Sequence, residues 1–116
     1  MHTIAITCLG EFEVVVAGHT AAHLPTDKAR ALLVYLALEW DRPHSRHVLT
    51  GLLWPDQPQE RAFANLRTTL RRLRRTLDET APSITDHALI ATRQALQVRP
   101  DAFSVDVHSI DSLMAA

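Results

Sequence analysis

One stretch of the sequence, from residue 56 to residue 77, carries two different surfaces that repeat with helical spacing. Five of its apolar residues fall within about 80° of one another when each residue advances about 100° around a helix axis. They are Ala62, Leu66, Leu70, Leu73 and Leu77. Gln59 follows Asp56 by three residues, a spacing typical of a capping box, and Pro58 suits a first helical turn. We therefore predict an amphipathic helix that ends near Leu77 and buries one side.

The opposite side of this predicted helix is strongly basic. Six of the 12 Lys and Arg residues lie between residues 61 and 75, against the single acid Glu60, so this segment carries +5 and the remainder −6 within a net charge of −1. With the leucines inward, Arg61, Ala64, Thr68, Arg71, Arg72 and Arg75 point outward, and Asn65 and Arg67 flank them. Acidic partners at i±4 are nearly missing, so the repulsion is relieved only by a bound anion.

These residue types suit a helix in the major groove of DNA. Arginine contacts guanine edges or phosphates in pairs of hydrogen bonds, asparagine pairs with adenine, and threonine meets a thymine methyl group or a phosphate. The pattern therefore favours binding of double-stranded DNA. Docking onto an acidic protein surface or an RNA remains an open alternative at this point.

Short strands and two further helices are predicted before the basic segment. β-Branched and apolar residues over 3–16, broken at residues 10 and 11, indicate two strands, and residues 18–23 indicate a turn or a short third strand. Thr26 can cap a helix of about four turns that stops before Pro43, and Ser45 can cap a shorter helix that ends at Trp54. The predicted inward faces are Ala29, Leu32, Leu33, Leu36 and Trp40 for the first helix, and Val48, Leu49, Leu52 and Leu53 for the second.

After the basic helix, a polar loop over residues 78–83 leads to a predicted hairpin. Its strands cover 88–92 and 95–98 and join at Arg93 and Gln94. Helix, turn, helix, long basic helix and hairpin follow one another in the order of a winged helix-turn-helix, in which the hairpin is the wing. Arg93 at the wing tip is a candidate contact to the DNA backbone.

Several other classes of protein are disfavoured. A chain of 116 residues is about one domain, and 47% hydrophobic residues can build a core. Cys8 is the single cysteine, so we expect an inert thiol and a reducing, cytoplasmic setting. No apolar run is long enough for a membrane span. The sequence contains neither a Gly-rich phosphate loop nor a serine elbow, so we do not expect an enzyme. The pairs His44/His47 and His19/His23 lack further ligands, so we expect no metal and no cofactor.

Six ordered sequence blocks resemble a known family. They are LGEFEV (9–14), LPTDKARALL (24–33), RPHSR (42–46), LLWPD (52–56), ANLR (64–67) and LRRLRR (70–75). Together they resemble the N-terminal DNA-binding domain of bacterial SARP-type transcriptional regulators, whose winged helix is similar to that of OmpR/PhoB-type response regulators. The resemblance covers residues 1–100. Residues 101–116 resemble the opening of the all-helical bacterial transcriptional activation domain (BTAD) that follows in such proteins.

The resemblance implies an α+β fold with a small antiparallel N-terminal sheet, three helices and a C-terminal β-hairpin wing. It implies an activator that binds direct repeats of promoter DNA and recruits RNA polymerase through the loop at residues 54–59. The expected DNA contacts are Arg46, Arg61, Asn65, Arg67, Thr68, Arg71, Arg72, Arg75 and Arg93. Two departures from the family pattern are His47, where an acid is frequent, and Thr68-Thr69, where Gln-Ala is common; the second bears on the target sequence.

A second function remains open: a winged helix that serves mainly in protein interaction or dimerisation. Apolar residues in the last stretch lie on a segment too short to bury them among themselves; they are Phe103, Val105, Val107, Ile110, Leu113 and Met114. We expect a following helical domain to cover them in an intact regulator. The chain alone is expected to be a monomer that binds one half-site weakly.

Overall fold

The start of the chain forms one side of a four-stranded sheet. The computed structural model describes residues 4–7, 12–20, 24 and 26–105. Strand β1 (Ile4–Thr7) pairs antiparallel with β2 (Glu13–Val16), and β2 pairs with the short β3 (His19–Thr20). Every second residue of β1 and β2 points into the core, as the period of a strand requires. The two predicted strands are confirmed, and the segment after them contains the third.

The fourth strand of this sheet comes from the other end of the described chain. A 3₁₀ turn at Pro100–Ala102 leads into β7 (Phe103–Val105), which runs parallel to β1 and gives the order β3-β2-β1-β7. The N-terminal strands β1, β2 and β3 are antiparallel, as predicted, and the parallel strand β7 makes the complete sheet mixed. Strand β1 has an edge whose backbone groups need partners, and β7 supplies them. Residues 101–105 thus pack with the first domain, and residues 106–116 lie outside the described residues.

The first two helices begin where hydroxyl caps predict. Helix α1 (Asp27–Leu38) is capped by Thr26, whose Oγ1 accepts a hydrogen bond from the Ala29 N–H at 3.0 Å. Helix α2 (Arg46–Leu53) is capped in the same way by Ser45, whose Oγ accepts from the Val48 N–H at 3.0 Å. Each cap satisfies a donor that the first helical turn leaves free.

The long basic helix, α3 (Gln59–Thr80), differs from its predicted boundaries at both ends. Pro58 is its N-cap and no side chain caps it, so the capping box of Asp56 and Gln59 is wrong. The start at Gln59 leaves Asp56 outside the first turn, and the Gln59 side chain contacts the His47 ring at 3.0 Å. The helix continues beyond Leu77 to Thr80, whose hydroxyl donates to the Thr76 carbonyl.

A fourth helix, α4 (Ile84–Ala88), lies between the predicted loop and the predicted hairpin and includes Ala88, which was predicted to begin a strand. Its start is held by Asp78 of α3, whose carboxylate accepts from the backbone N–H of Thr85 at 3.0 Å and from the Thr85 hydroxyl at 2.9 Å. Ile84 and Ala88, four residues apart, are both buried. The described residues therefore contain four helices where the sequence predicted three, because a carboxylate from another helix anchors a segment of five residues.

The predicted wing is present. Strands β5 (Leu89–Ala91) and β6 (Ala95–Val98) pair antiparallel, and the two-residue β4 (His44–Ser45) pairs with β6 on its other side. The turn between β5 and β6 carries Arg93 and Gln94, as predicted. Because β4 immediately precedes α2, the wing is tied to the start of that helix.

The core lies between the first sheet and helices α1, α2 and α3. The five residues of the apolar stripe on α3 are all buried, as are Ala29, Leu32, Leu33 and Leu36 of α1. Trp40, Val48 and Leu52 were predicted to face inward and are instead 44%, 50% and 53% exposed. Helix α1 ends at Leu38, so Trp40 lies beyond the helix and does not continue its buried stripe. On α2, Leu49 and Leu53 are the buried leucines, and Leu52 is not buried.

This arrangement predicts different effects for two leucines of α2 that are three residues apart. Leu49 is 1% exposed, so Leu49→Ala is expected to lower the free energy of unfolding by about 2–5 kcal/mol. Leu52→Ala is the matched control and is expected to cost less than about 1 kcal/mol, since the side chain is half exposed. Urea unfolding of both variants provides the measurement. Equal losses would place Leu52 in the core after all.

Candidate nucleic-acid interface

Helix α3 presents a continuous polar surface on the side away from the core. Arg61, Arg67, Arg71, Arg72 and Arg75 are exposed, and Asn65 and Thr68 are half-buried. We call these seven residues the basic face. The face exists because the five residues of the apolar stripe on α3 are buried in the core, which turns the opposite side of the helix to solvent. All seven were predicted to lie together, and the structure places them so.

The arginines of the basic face have no acidic partners among the described residues. The ion pairs in that part of the chain join Arg42 to Glu39 and to Asp41, both at 2.8 Å and far in sequence from α3. None of the five exposed arginines makes a hydrogen bond to another described residue. Asp78, the acid nearest to the end of the face, is occupied by Thr85. The five arginines are therefore not ion-paired to any described acid and are available to an anion.

Within the basic face, polar residues line up along the helix. Asn65 and Arg72 are seven residues apart, which places them within about 20° of each other around the axis. Thr68 lies between them in the sequence, about 60° from Asn65. A donor-and-acceptor amide, a hydroxyl and a guanidinium thus share one strip of about two helical turns, and this strip can present hydrogen bonds to base edges in a groove.

Arg93 lies at the tip of the wing and is exposed. Thr92 closes its turn: the Thr92 N–H donates to the Ala95 carbonyl at 2.9 Å, and the Thr92 hydroxyl accepts from the Ala95 N–H at 3.0 Å. The Arg93 guanidinium makes no hydrogen bond to a described residue. Arg93 thus adds a cation at the wing tip that is separate from the arginines of α3. In a winged helix, this is the place where the wing meets DNA.

Arg46 differs from the other predicted contacts because its side chain is engaged within the protein. Its Nε and Nη2 both donate to the Thr92 carbonyl, at 3.0 and 2.8 Å. Partial burial lowers the pKa of the Arg46 guanidinium, and the charges of Arg74 and Arg67 lower it further. Arg46 is therefore an internal link to the wing that lies beside the basic face.

Arg74, which was not among the predicted DNA contacts, lies beside the basic face. It is half-buried, and its Nε is buried without a hydrogen-bond partner among the described residues. Seven residues after Arg67, it lies on the edge of α3 whose charges act on Arg46. Angular position between the arginine and leucine sides is the signal that could have found it.

The loop between α2 and α3, residues 54–58, is anchored at its start. The Lys28 ammonium donates to the Leu53 carbonyl and lies 5.9 Å from the centre of the Trp54 ring. Trp54 is half-buried and packs against the core. Residues 55–58 are exposed and form a surface separate from the basic face.

The histidine pairs take structural positions where they are described. His44 is buried, and its Nε2 lies 2.6 Å from the Glu39 carbonyl oxygen, while His47 contacts Gln59. His19 is exposed in β3, and both His23 and Cys8 lie outside the described residues. Over the described ranges there is no group of three or more His, Cys, Asp or Glu residues that could hold a metal ion. In the same part of the chain, no helix has the length and apolarity to cross a membrane.

The comparisons with known proteins bear on the fold. No family model matches the chain, and no curated protein matches it in sequence. Among solved structures, it is similar to EmbR of Mycobacterium tuberculosis, determined in complex with a low-affinity phosphopeptide, with a TM-score of 0.65 and 21% identity over 89% of this chain. The fold is a winged helix-turn-helix. EmbR is a SARP-family regulator, so the likeness supports the SARP-like winged helix that the sequence blocks predict. The match spans 27% of the EmbR chain.

Proposed function

We propose that this chain is the DNA-binding part of a bacterial transcriptional activator and that it binds double-stranded promoter DNA in a sequence-specific manner. The observation that carries the proposal is the basic face, where five exposed arginines lack partners among the described residues. Helix α3 enters the major groove, with Asn65, Thr68 and Arg72 toward the bases and Arg61, Arg67, Arg71 and Arg75 toward phosphates. Arg93 of the wing contacts the adjacent backbone.

The proposal extends to the setting of the protein. The operator consists of direct repeats, and the segment 54–59, in which residues 55–59 are exposed, contacts RNA polymerase in the cytoplasm. The chain alone binds one half-site as a monomer. These parts rest on the resemblance of the sequence blocks to SARP-type regulators. The proposed role is binding, with no catalytic step.

A second candidate function is protein interaction through the outer side of α2. The observation that favours it is the exposure of Val48 and Leu52 beside a small apolar groove, which Ala31, Leu32 and Tyr35 of α1 help to form. Exposed apolar patches mark interaction sites. This surface is distinct from the basic face, so a single domain can use both.

Selection from a pool of random duplexes tests the DNA-binding proposal. The protein is immobilised, bound duplexes are amplified over several rounds, and the enriched sequences are read. We expect a common motif that is bound as a single half-site by this chain. Retention of the pool without enrichment would indicate binding that does not read sequence, and failure to retain any duplex would favour the protein-interaction function.

A further inference from the structure

One residue at the start of α2 holds both sides of the wing turn. The Arg46 backbone N–H donates to the Gln94 carbonyl at 2.8 Å. The Arg46 guanidinium donates through Nε and Nη2 to the Thr92 carbonyl at 3.0 and 2.8 Å. Thr92 and Gln94 are the residues on either side of Arg93. Arg46 therefore fixes the backbone on both sides of the residue that carries the charge at the wing tip.

External links support the wing turn, in addition to the hydrogen bonds by which Thr92 closes it. Arg-Gln is not among the residue pairs that favour a two-residue hairpin turn. Strands β5 and β6 have three and four residues, and an isolated two-stranded hairpin is only marginally stable in water. The pairing of Ser45 with Ala95 in β4 and β6 adds a second attachment at the same place.

We propose that Arg46 is a positioning residue that docks the wing turn onto α2 and thereby sets where Arg93 meets the DNA backbone. This inference rests on the proposed DNA-binding function and assigns Arg46 a role other than the direct DNA contact that the family resemblance implied. Two neighbouring N–H groups of the planar guanidinium, Nε and Nη2, donate to the Thr92 carbonyl, so this edge of the side chain is bound to the wing.

The charges around Arg46 connect wing docking to the basic face. Burial of the guanidinium, followed by repulsion from Arg74 and Arg67, lowers the pKa of Arg46. The Thr92 carbonyl oxygen offsets this unfavourable setting by accepting both hydrogen bonds. A phosphate bound at Arg67 reduces the repulsion, so DNA binding and docking of the wing strengthen each other.

A double-mutant cycle on DNA affinity separates positioning from direct contact. Arg46→Met keeps the apolar stem and removes the donors, and it is measured alone and together with Arg93→Ala. We expect each single variant to weaken binding by about threefold to tenfold and to lower the slope of log K against log salt by about 1. In the Arg93→Ala background, Arg46→Met is expected to add less than about twofold and to leave the slope unchanged.

Arg71→Met is the matched control, because Arg71 is exposed, makes no hydrogen bond to a described residue, and is not one of the charges that act on Arg46. Its effect is expected to add fully to that of Arg93→Ala and to lower the slope by about 1 in both backgrounds. If Arg46→Met behaves in the same additive way, Arg46 contacts a phosphate directly and the proposal is overturned.

The free protein supplies a readout that does not depend on DNA. Arg46→Met is expected to lower the heteronuclear ¹⁵N NOE of the Arg93 and Gln94 amides and to speed hydrogen exchange of the Ala95 amide, whereas Arg71→Met leaves all three unchanged. If the unmodified protein binds no DNA, the proposed function fails while this test of wing docking still stands. If the NOE values and the exchange rate in the Arg46→Met variant equal those of the unmodified protein, the positioning role is overturned.

Discussion

Replacing both Arg71 and Arg75 with glutamate is expected to weaken binding to duplex DNA by at least roughly 100-fold at moderate salt. Both guanidiniums are exposed and lack partners among the described residues, so the substitution turns two phosphate-binding groups into two repelling ones. The fold should tolerate the change, because neither side chain packs in the core. Fluorescence anisotropy with a labelled duplex measures the affinity, and circular dichroism checks helix content.

A control with the same change in charge uses Arg30 and Arg42, which are exposed residues outside α3. Arg30→Glu with Arg42→Glu alters the net charge equally but leaves the basic face intact. We expect this variant to bind DNA within about threefold to fivefold of the unmodified protein, since screening limits the effect of distant charges. Equal losses in the two double variants would mean that net charge, and not the basic face, determines binding.

Removing the groups that face the bases is expected to relax sequence preference. Asn65→Ala and Arg72→Ala should each cost about 1–3 kcal/mol on the preferred sequence and much less on unrelated duplexes. These residues lie on one strip in the first two-thirds of α3, where a recognition helix is deepest in the groove. The measurement compares affinities for the selected motif and for a scrambled duplex of equal length.

Arg75→Ala and Arg93→Ala are the matched variants for this comparison. Their side chains lie near the end of the basic face and at the wing tip, so they should weaken binding to both duplexes alike. If all four variants reduce the difference in affinity between the selected motif and the scrambled duplex by the same amount, the division into base contacts and backbone contacts is wrong.

Helix α3 could be predicted well because two independent patterns agree along it. The spacing of Leu66, Leu70 and Leu73 sets which side is buried, and the arginines then occupy the remaining surface. The same local logic identified Thr26 and Ser45 as caps, because a cap needs only an oxygen three residues before a free N–H. The members of the basic face follow from these local rules.

What the sequence did not reveal depends on partners that are distant along the chain. The parallel pairing of β7 with β1 joins residues about 100 positions apart, and α4 is anchored by a carboxylate of α3. Periodicity alone predicted that Leu49 and Leu52 are both buried, whereas the folded chain covers Leu49 and leaves Leu52 exposed. Arg46 was predicted as a DNA contact because its charge is visible in the sequence, while its bonds to the Thr92 carbonyl are not.

Salt dependence of DNA binding by the unmodified protein tests the basic face most directly. Affinity for a single duplex is measured from about 50 to 300 mM salt, and log K is plotted against log salt concentration. Neutralisation of about four to six phosphates by α3 and the wing predicts a slope of roughly −4 to −5. A slope near zero, or no complex even at the lowest salt concentration, would contradict DNA binding through the basic face.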